Sequence, residues 1–276
     1  MSVALPAASA ESASATLPSA SAAGRTGARI AAILRLTIAR TVRPVPLALG
    51  ALITALPIVF AAIYRSTGGD DANLAEFLLT RYNALVVSML LPLTALVMAA
   101  GATSAEREDG TILYLLTTTT SRALLAMVRW VFATVVTSVI VLLAVIGTGL
   151  LAGNGSDPTG VVRAFAIGSV VGAAVYSAVF LAMAVWLRRS LLVGLLYVLV
   201  WEGTISGLVP AVKYLSARQV LLGITQRFVQ PAEQGAGPFA TAPGFGTSLV
   251  WAVVVVAVAL AATVYRLRKL PVTKPR

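Results

Sequence analysis

Between Arg129 and Asp157 the chain runs for 27 residues without a charged side chain. A helix needs roughly 20 apolar residues to cross ~30 Å of hydrocarbon, so this stretch alone is long enough to span a bilayer. It has company. Uncharged runs of 21, 24 and 24 residues separate Arg43 from Arg65, Arg81 from Glu106, and Arg163 from Arg188. Two more follow: 23 residues between Arg189 and Lys213, of which only Glu202 is charged, and 32 between Glu233 and Arg266. The last is most strongly apolar from Leu249 to Tyr265.

A water-soluble surface cannot be made from such material. Charged residues are only 11% of the chain, hydrophobic ones 58%, and the mean hydropathy is +0.91, so lipid must serve as solvent. The runs are continuous and do not alternate. That favours helices, whose backbone amides pair within their own segment, over a membrane barrel. The expected fold is therefore an all-α integral membrane protein with six transmembrane helices, near 47–64, 84–103, 130–152, 164–187, 191–210 and 248–265. Pro57 and Pro92 fall inside spans, and each removes one backbone donor, so kinks are expected there.

Lys and Arg divide unequally between the two sides of such a bundle, 15 on one and 6 on the other. The basic side is expected to be cytoplasmic, with both termini on it. The net charge of +11 then reads as membrane orientation and contact with anionic lipid, and no nucleic-acid partner is implied. Cysteine and histidine are both absent, which removes disulfides, thiol nucleophiles, imidazole bases and most zinc sites. Catalysis by this chain is not expected, nor is a bound metal.

Residues 1–24 form an Ala/Ser-rich segment, too poor in large apolar groups to pack, and are expected to be disordered. In 25–43 the pattern changes. Ile30, Leu34 and Ile38 recur every four residues, while Arg25, Arg29, Arg40 and Arg43 cluster on the opposite arc. This reads as an interfacial amphipathic helix leading into the membrane domain at 44–268, or equally as the basic flank of the first span. The loops 65–83 and 153–160 are short and polar. The loop near 211–247 is longer: 213–228 suits a helix lying on or dipping into the outer leaflet, and 231–245, rich in Gly, Pro and Ala, should be irregular. A basic cytoplasmic tail, 269–276, closes the chain.

Between the second and third spans, near 105–122, Glu106, Glu108 and Asp109 place three carboxylates within four residues. Gly110 can then break the helix, and Thr111 can cap a new one bearing Ile112, Leu113, Leu115 and Leu116. The uncharged stretch from Gly110 to Ser121 is 12 residues, too short to span. A short apolar helix at the membrane surface must bury against headgroups or a groove on a soluble partner. Ser121 can cap the helix that runs through Arg129 into the third span.

This segment resembles the permease subunits of the type-2 ABC exporter family. The likeness rests on Glu106-Arg107-Glu108-Asp109-Gly110-Thr111, the leucines after it, Ser121-Arg122, and the order amphipathic helix, six spans, long last external loop. Relatives often carry a proline before the Ser-Arg pair, where this chain has Thr118 to Thr120. The resemblance implies that the stub is a coupling helix, with Glu106, Glu108, Gly110, Thr111, Leu113, Leu116 and Arg122 contacting a separate ABC ATPase subunit. It implies a homodimer, or a pair with a related permease chain, in a bacterial cytoplasmic membrane. No cofactor is expected on this chain, and ATP and Mg belong to the ATPase. Consistent with that division, the three lysines, Lys213, Lys269 and Lys274, follow Val, Arg and Thr, so no Gly-x-x-x-x-Gly-Lys cradle exists here.

Glu202 is the one ionisable group well inside a span, and a carboxylate in lipid is expensive unless it faces protein or a cavity. It reads either as a pathway residue that binds a cation or proton, or as a hydrogen-bonding partner of a Ser or Thr on a neighbouring helix or a second copy; the family resemblance implies a place near the dimer interface. Gly203 with Gly207, and Gly168 with Gly172, are spaced for close helix approach. Two rival functions remain open on sequence grounds: an ion-coupled secondary transporter using Glu202, and a membrane scaffold that transports nothing. The transported substrate is not legible.

Overall fold

The computed structural model describes residues 44–69, 73–108, 121–155, 157, 159–187, 189–205, 216–230 and 237–269, with backbone alone at 44–51, 53, 102–108 and 203–205. The expected disordered segment 1–24, the amphipathic helix 25–43, the coupling stub at 109–120 and the end of the basic tail, 270–276, lie outside the described residues. Among the described residues all regular structure is helical.

Helix α1 is Pro44–Ser66, with Pro57 inside it. Helix α2 is one continuous rod made of Leu74–Arg81, a π-helical stretch Tyr82–Leu90, and Leu91–Glu108. Helix α3 is Arg122–Ala152 and α4 is Val161–Trp186. Helix α5 joins Ser190–Leu196 to a second π-helical stretch, Tyr197–Ile205. The short α6 is Ala217–Thr225, and α7 is Phe245–Lys269. Lys269, assigned above to the tail, thus closes α7.

Among the described residues four helices are long and apolar enough to cross a membrane: Leu74–Gly101 within α2, then α3, α4 and α7. This is a helical membrane protein by length and composition. The other two expected spans, α1 and α5, are apolar over Thr54–Ser66 and Ser190–Glu202, stretches of 10–17 residues.

Helix α2 begins ahead of the expected boundary, inside what reads in sequence as an external loop. Leu74, Leu78 and Tyr82 recur every four residues and are all at most 2% exposed, so burial on one helical face extends the rod. Arg81 does not stop it, because its guanidinium lies 4.9 Å from the Phe60 ring centroid and 5.6 Å from that of Phe77. The Tyr82 hydroxyl donates to the Val145 carbonyl at 2.8 Å and pins α2 to α3.

Pro92 has a visible consequence. It lacks the amide that would close the turn before it, and α2 is π-helical just upstream, with the Leu91 amide donating five residues back to the Val86 carbonyl. The Ser88 hydroxyl donates to the Asn83 carbonyl at 2.7 Å, occupying an acceptor in the same widened region.

Helix α4 is the centre of the bundle, packed against α2, α3, α6 and α7. Its start is set by Asp157, whose two carboxylate oxygens accept from the Val162 and Arg163 amides at 3.2 and 3.1 Å, and by Gly160 in the left-handed region at φ 71°. Helix α3 starts at Ser121, whose hydroxyl accepts from the Leu124 amide at 3.2 Å. Helix α7 lies outermost: Val250, Val253 and Val258 are each more than 60% exposed, an apolar face of the kind that lipid or another protein covers.

Candidate functional site: a buried carboxylate beneath a short helix

The short helix between α5 and α7 does not lie on the surface. Every described side chain of α6 except Arg218 is buried, including Val220, Leu221, Leu222 and Ile224, all at most 2% exposed. The helix expected within 213–228 is present at Ala217–Thr225, where α6 inserts between α4 and α7 and buries its apolar residues against protein.

Glycines make the room. A Cβ on Gly168 would stand 2.0 Å from the Thr225 hydroxyl oxygen, and one on Gly172 would stand 2.2 Å from a Leu221 methyl. On α6 itself, a Cβ on Gly223 would meet the Ser248 hydroxyl of α7 at 2.0 Å. The Gly168/Gly172 pair therefore serves the close approach of α6 to α4. The hydroxyl of Thr225 is kept from a barren environment by donating to the Leu221 carbonyl at 2.9 Å.

A helix that begins inside a protein must have partners for its first amides. Ser216, at the cap position, accepts from the Gln219 amide at 3.3 Å. The Ala217 and Arg218 amides donate to the carboxylate of Glu202, at 3.0 Å to Oε1 and 3.4 Å to Oε2. Two hydroxyls donate to the same carboxylate, Tyr197 to Oε1 at 3.1 Å and Ser216 to Oε2 at 2.6 Å. Glu202 is 2% exposed, so these four donors replace the water that an ionised carboxylate would otherwise keep. An anion at a helix N-terminus also meets the positive end of the helix dipole. Here the anion comes from α5 and the helix end from α6.

From α6 the network continues to α2. The Arg218 guanidinium donates through Nη2 to Asn83 Oδ1 at 3.0 Å. Asn83 and Glu202 each sit in a π-helical stretch, one in α2 and one in α5. Such stretches turn a backbone position out of regular α register and recur at functional sites. Aromatic rings wall the network: Tyr176 stacks on Phe180 at 5.8 Å, Phe180 meets Tyr197 edge-on at 6.0 Å, and Tyr197 stacks on Trp201 at 6.5 Å. Beside Tyr197 and Ser216 a cavity of about 30 Å³ remains, lined otherwise by Ala217 and by side chains of α4, α6 and α7. That is room for a water and not for an organic substrate.

The remaining sequence-predicted residues fall elsewhere. Glu106 and Glu108 lie on the last turns of α2, while Gly110, Thr111, Leu113 and Leu116 lie outside the described residues. Arg122, half-buried at the first turn of α3, donates through Nη1 to the Leu267 carbonyl of α7. Gly203 is in the π-helical stretch of α5, and Gly207 lies outside the described residues. Sequence reasoning missed Asn83, Tyr197, Ser216 and Arg218. Ser216 followed by Ala-Arg-Gln is a helix-start pattern, which was the available signal. Among the described residues no cluster of three metal-ligating side chains occurs.

A helical membrane protein organised around a buried carboxylate and a helix inserted into its own bundle is the class defined by this architecture. No protein-family model and no curated protein matches the chain.

Proposed function

We propose that the chain is the membrane-spanning permease subunit of an ATP-driven ABC exporter, forming its pathway as a dimer and coupled to a separate ATPase subunit. The observation that supports this most is the pair of mounts around 109–120. Helix α2 runs on as helix past its apolar run to Glu108, and α3 restarts from a capped Ser121. Arg122 clamps that restart to α7 through the Leu267 carbonyl. The segment carrying Gly110, Thr111, Leu113 and Leu116 joins these two helix ends in sequence, so in this reading a push on it is delivered to α2, α3 and α7 together.

In this reading the basic face is cytoplasmic, Glu106 to Arg122 receives the ATPase, and the amphipathic helix 25–43 lies at the headgroups. Glu202 acts as the anchor of α6 and not as a substrate ligand, because its carboxylate already accepts four hydrogen bonds and the adjoining space holds about 30 Å³. The same geometry weighs against an ion-coupled transporter built on Glu202.

The test is co-purification with a soluble ATPase and measurement of ATP hydrolysis and export in vesicles. Leu113→Asp with Leu116→Asp should leave insertion intact and abolish export while ATP hydrolysis loses its dependence on the permease. Full export by the double variant, or its failure to bind any ATPase even when unmutated, would refute the proposal.

A further inference from the structure

At the end of the bundle opposite the α6 insertion, α3 and α7 leave a groove of about 370 Å³ between them. Its floor is apolar, with Ala126 and Met127 from α3 and Ala261 and Val264 from α7, and its rim carries Tyr265 and Arg268. A volume of this order lies in the range of ligand sites. Along the helices away from the rim, Val131 and Val258 are 49% and 63% exposed, so the apolar surface continues beyond the groove.

The level of the rim is marked independently. Trp186 and Tyr265 are each about half exposed at this end, and paired aromatic residues at one height mark the membrane interface. The Trp186 indole donates to the Ala262 carbonyl at 3.3 Å. Among the described residues of α3 and α7, Arg122, Arg266, Arg268 and Lys269 lie at this end, and three of them are engaged. Arg266 lies 5.4 Å from the Trp186 ring centroid, the Lys269 ammonium lies 4.5 Å from that of Tyr265, and Arg122 bonds the Leu267 carbonyl. Arg268 is exposed, overlooks the groove, and has no partner among the described residues.

We infer that this groove is a binding site for one anionic phospholipid, its acyl chain lying along Met127 and Ala261 and its phosphate meeting Arg268. A slot with an apolar floor, the Arg268 cation at its rim with no partner among the described residues, and a continuing apolar flank matches a lipid in each of its parts. A zwitterionic lipid would fill the floor equally well but would gain less at the rim. The inference stands on α3, α7 and the end of α4, and is independent of the proposed transport function.

Native mass spectrometry of the full chain, incubated in detergent with phosphatidylglycerol or phosphatidylcholine, tests it. One phosphatidylglycerol per chain should be retained with an affinity about fivefold above phosphatidylcholine, the increment expected for one basic residue at the surface. Arg268→Gln, a change at an exposed position, should erase that preference, and Ala261→Phe should remove both lipids by filling the groove. Equal retention of the two lipids by the unmutated chain, or an undiminished preference in Arg268→Gln, would overturn the inference. So would an efficient disulfide between Met127→Cys and Thr118→Cys in the lipid-loaded protein, which would show the groove covered by the chain's own segment; no native cysteine competes.

Discussion

Ser216 donates its hydroxyl proton to Glu202 at 2.6 Å while the same oxygen accepts from the Gln219 amide at 3.3 Å, so one side chain both caps α6 and ties it to α5. Removing the carboxylate strands two hydroxyl donors and two amides. Glu202→Ala should cost roughly 3–5 kcal/mol, the range for breaking a buried charged interaction from one side. Glu202→Gln, which retains one acceptor oxygen, should cost less. Heat unfolding of the purified protein measures both, and an unchanged midpoint for the alanine variant would refute the anchoring role.

Ser216→Ala keeps the carboxylate but loses the cap. A loss of about 1–2 kcal/mol is expected from the cap and the charge-assisted bond together. Heat unfolding of the purified variant measures it, and an unchanged midpoint would show that the cap does not hold α6.

Glycine substitutions separate space from conformation. Gly172→Val should destabilise by about 1–3 kcal/mol, because its Cβ would stand 2.2 Å from a Leu221 methyl. Gly101 on α2 has nothing within 4 Å of an added Cβ, so Gly101→Ala should stabilise by up to about 1 kcal/mol through helix propensity. Equal effects at the two sites would mean that α6 does not depend on the cleft.

The Arg218 to Asn83 bond at 3.0 Å links α6 to the π-helical stretch of α2. A double-mutant cycle of Arg218→Ala and Asn83→Ala should return a coupling of roughly 0.5–3 kcal/mol in unfolding free energy. Additive effects would show the two groups to be independent.

Orientation can be read by cysteine labelling, because the chain has no cysteine of its own. Asn154, exposed at φ 49° in the turn after α3, and Ser121, exposed at its start, lie at opposite ends of one helix. In intact cells an impermeant maleimide should label Asn154→Cys and spare Ser121→Cys. The reverse pattern would invert the proposed topology and remove the ATPase from the Glu106 to Arg122 side.

Much of the fold was legible because charge is so sparse. The uncharged runs between Arg129 and Asp157 and between Arg163 and Arg188 cover most of α3 and α4, although α3 begins seven residues and α4 two residues before its run's first arginine. The Ser121 start was also legible, since a cap is a local pattern. The early start of α2 was not: Asn73 to Arg81 carries Glu76 and Arg81 and looks like loop until Phe60 and Phe77 are known to receive the guanidinium. The candidate site was half legible. Glu202 stood out as an acid in an apolar run, but nothing local says that its partners are Tyr197, Ser216 and the amides of Ala217 and Arg218.

The sequence by itself determined the solvent of this protein and the principal helices, because transfer to lipid depends on the summed polarity of a segment and on little else. Only the tertiary structure decided that α6 inserts between α4 and α7 and that Glu202 serves its N-terminus. Those outcomes depend on which backbone amides lack partners and on where glycines leave room, and both are properties of segments brought together across the chain.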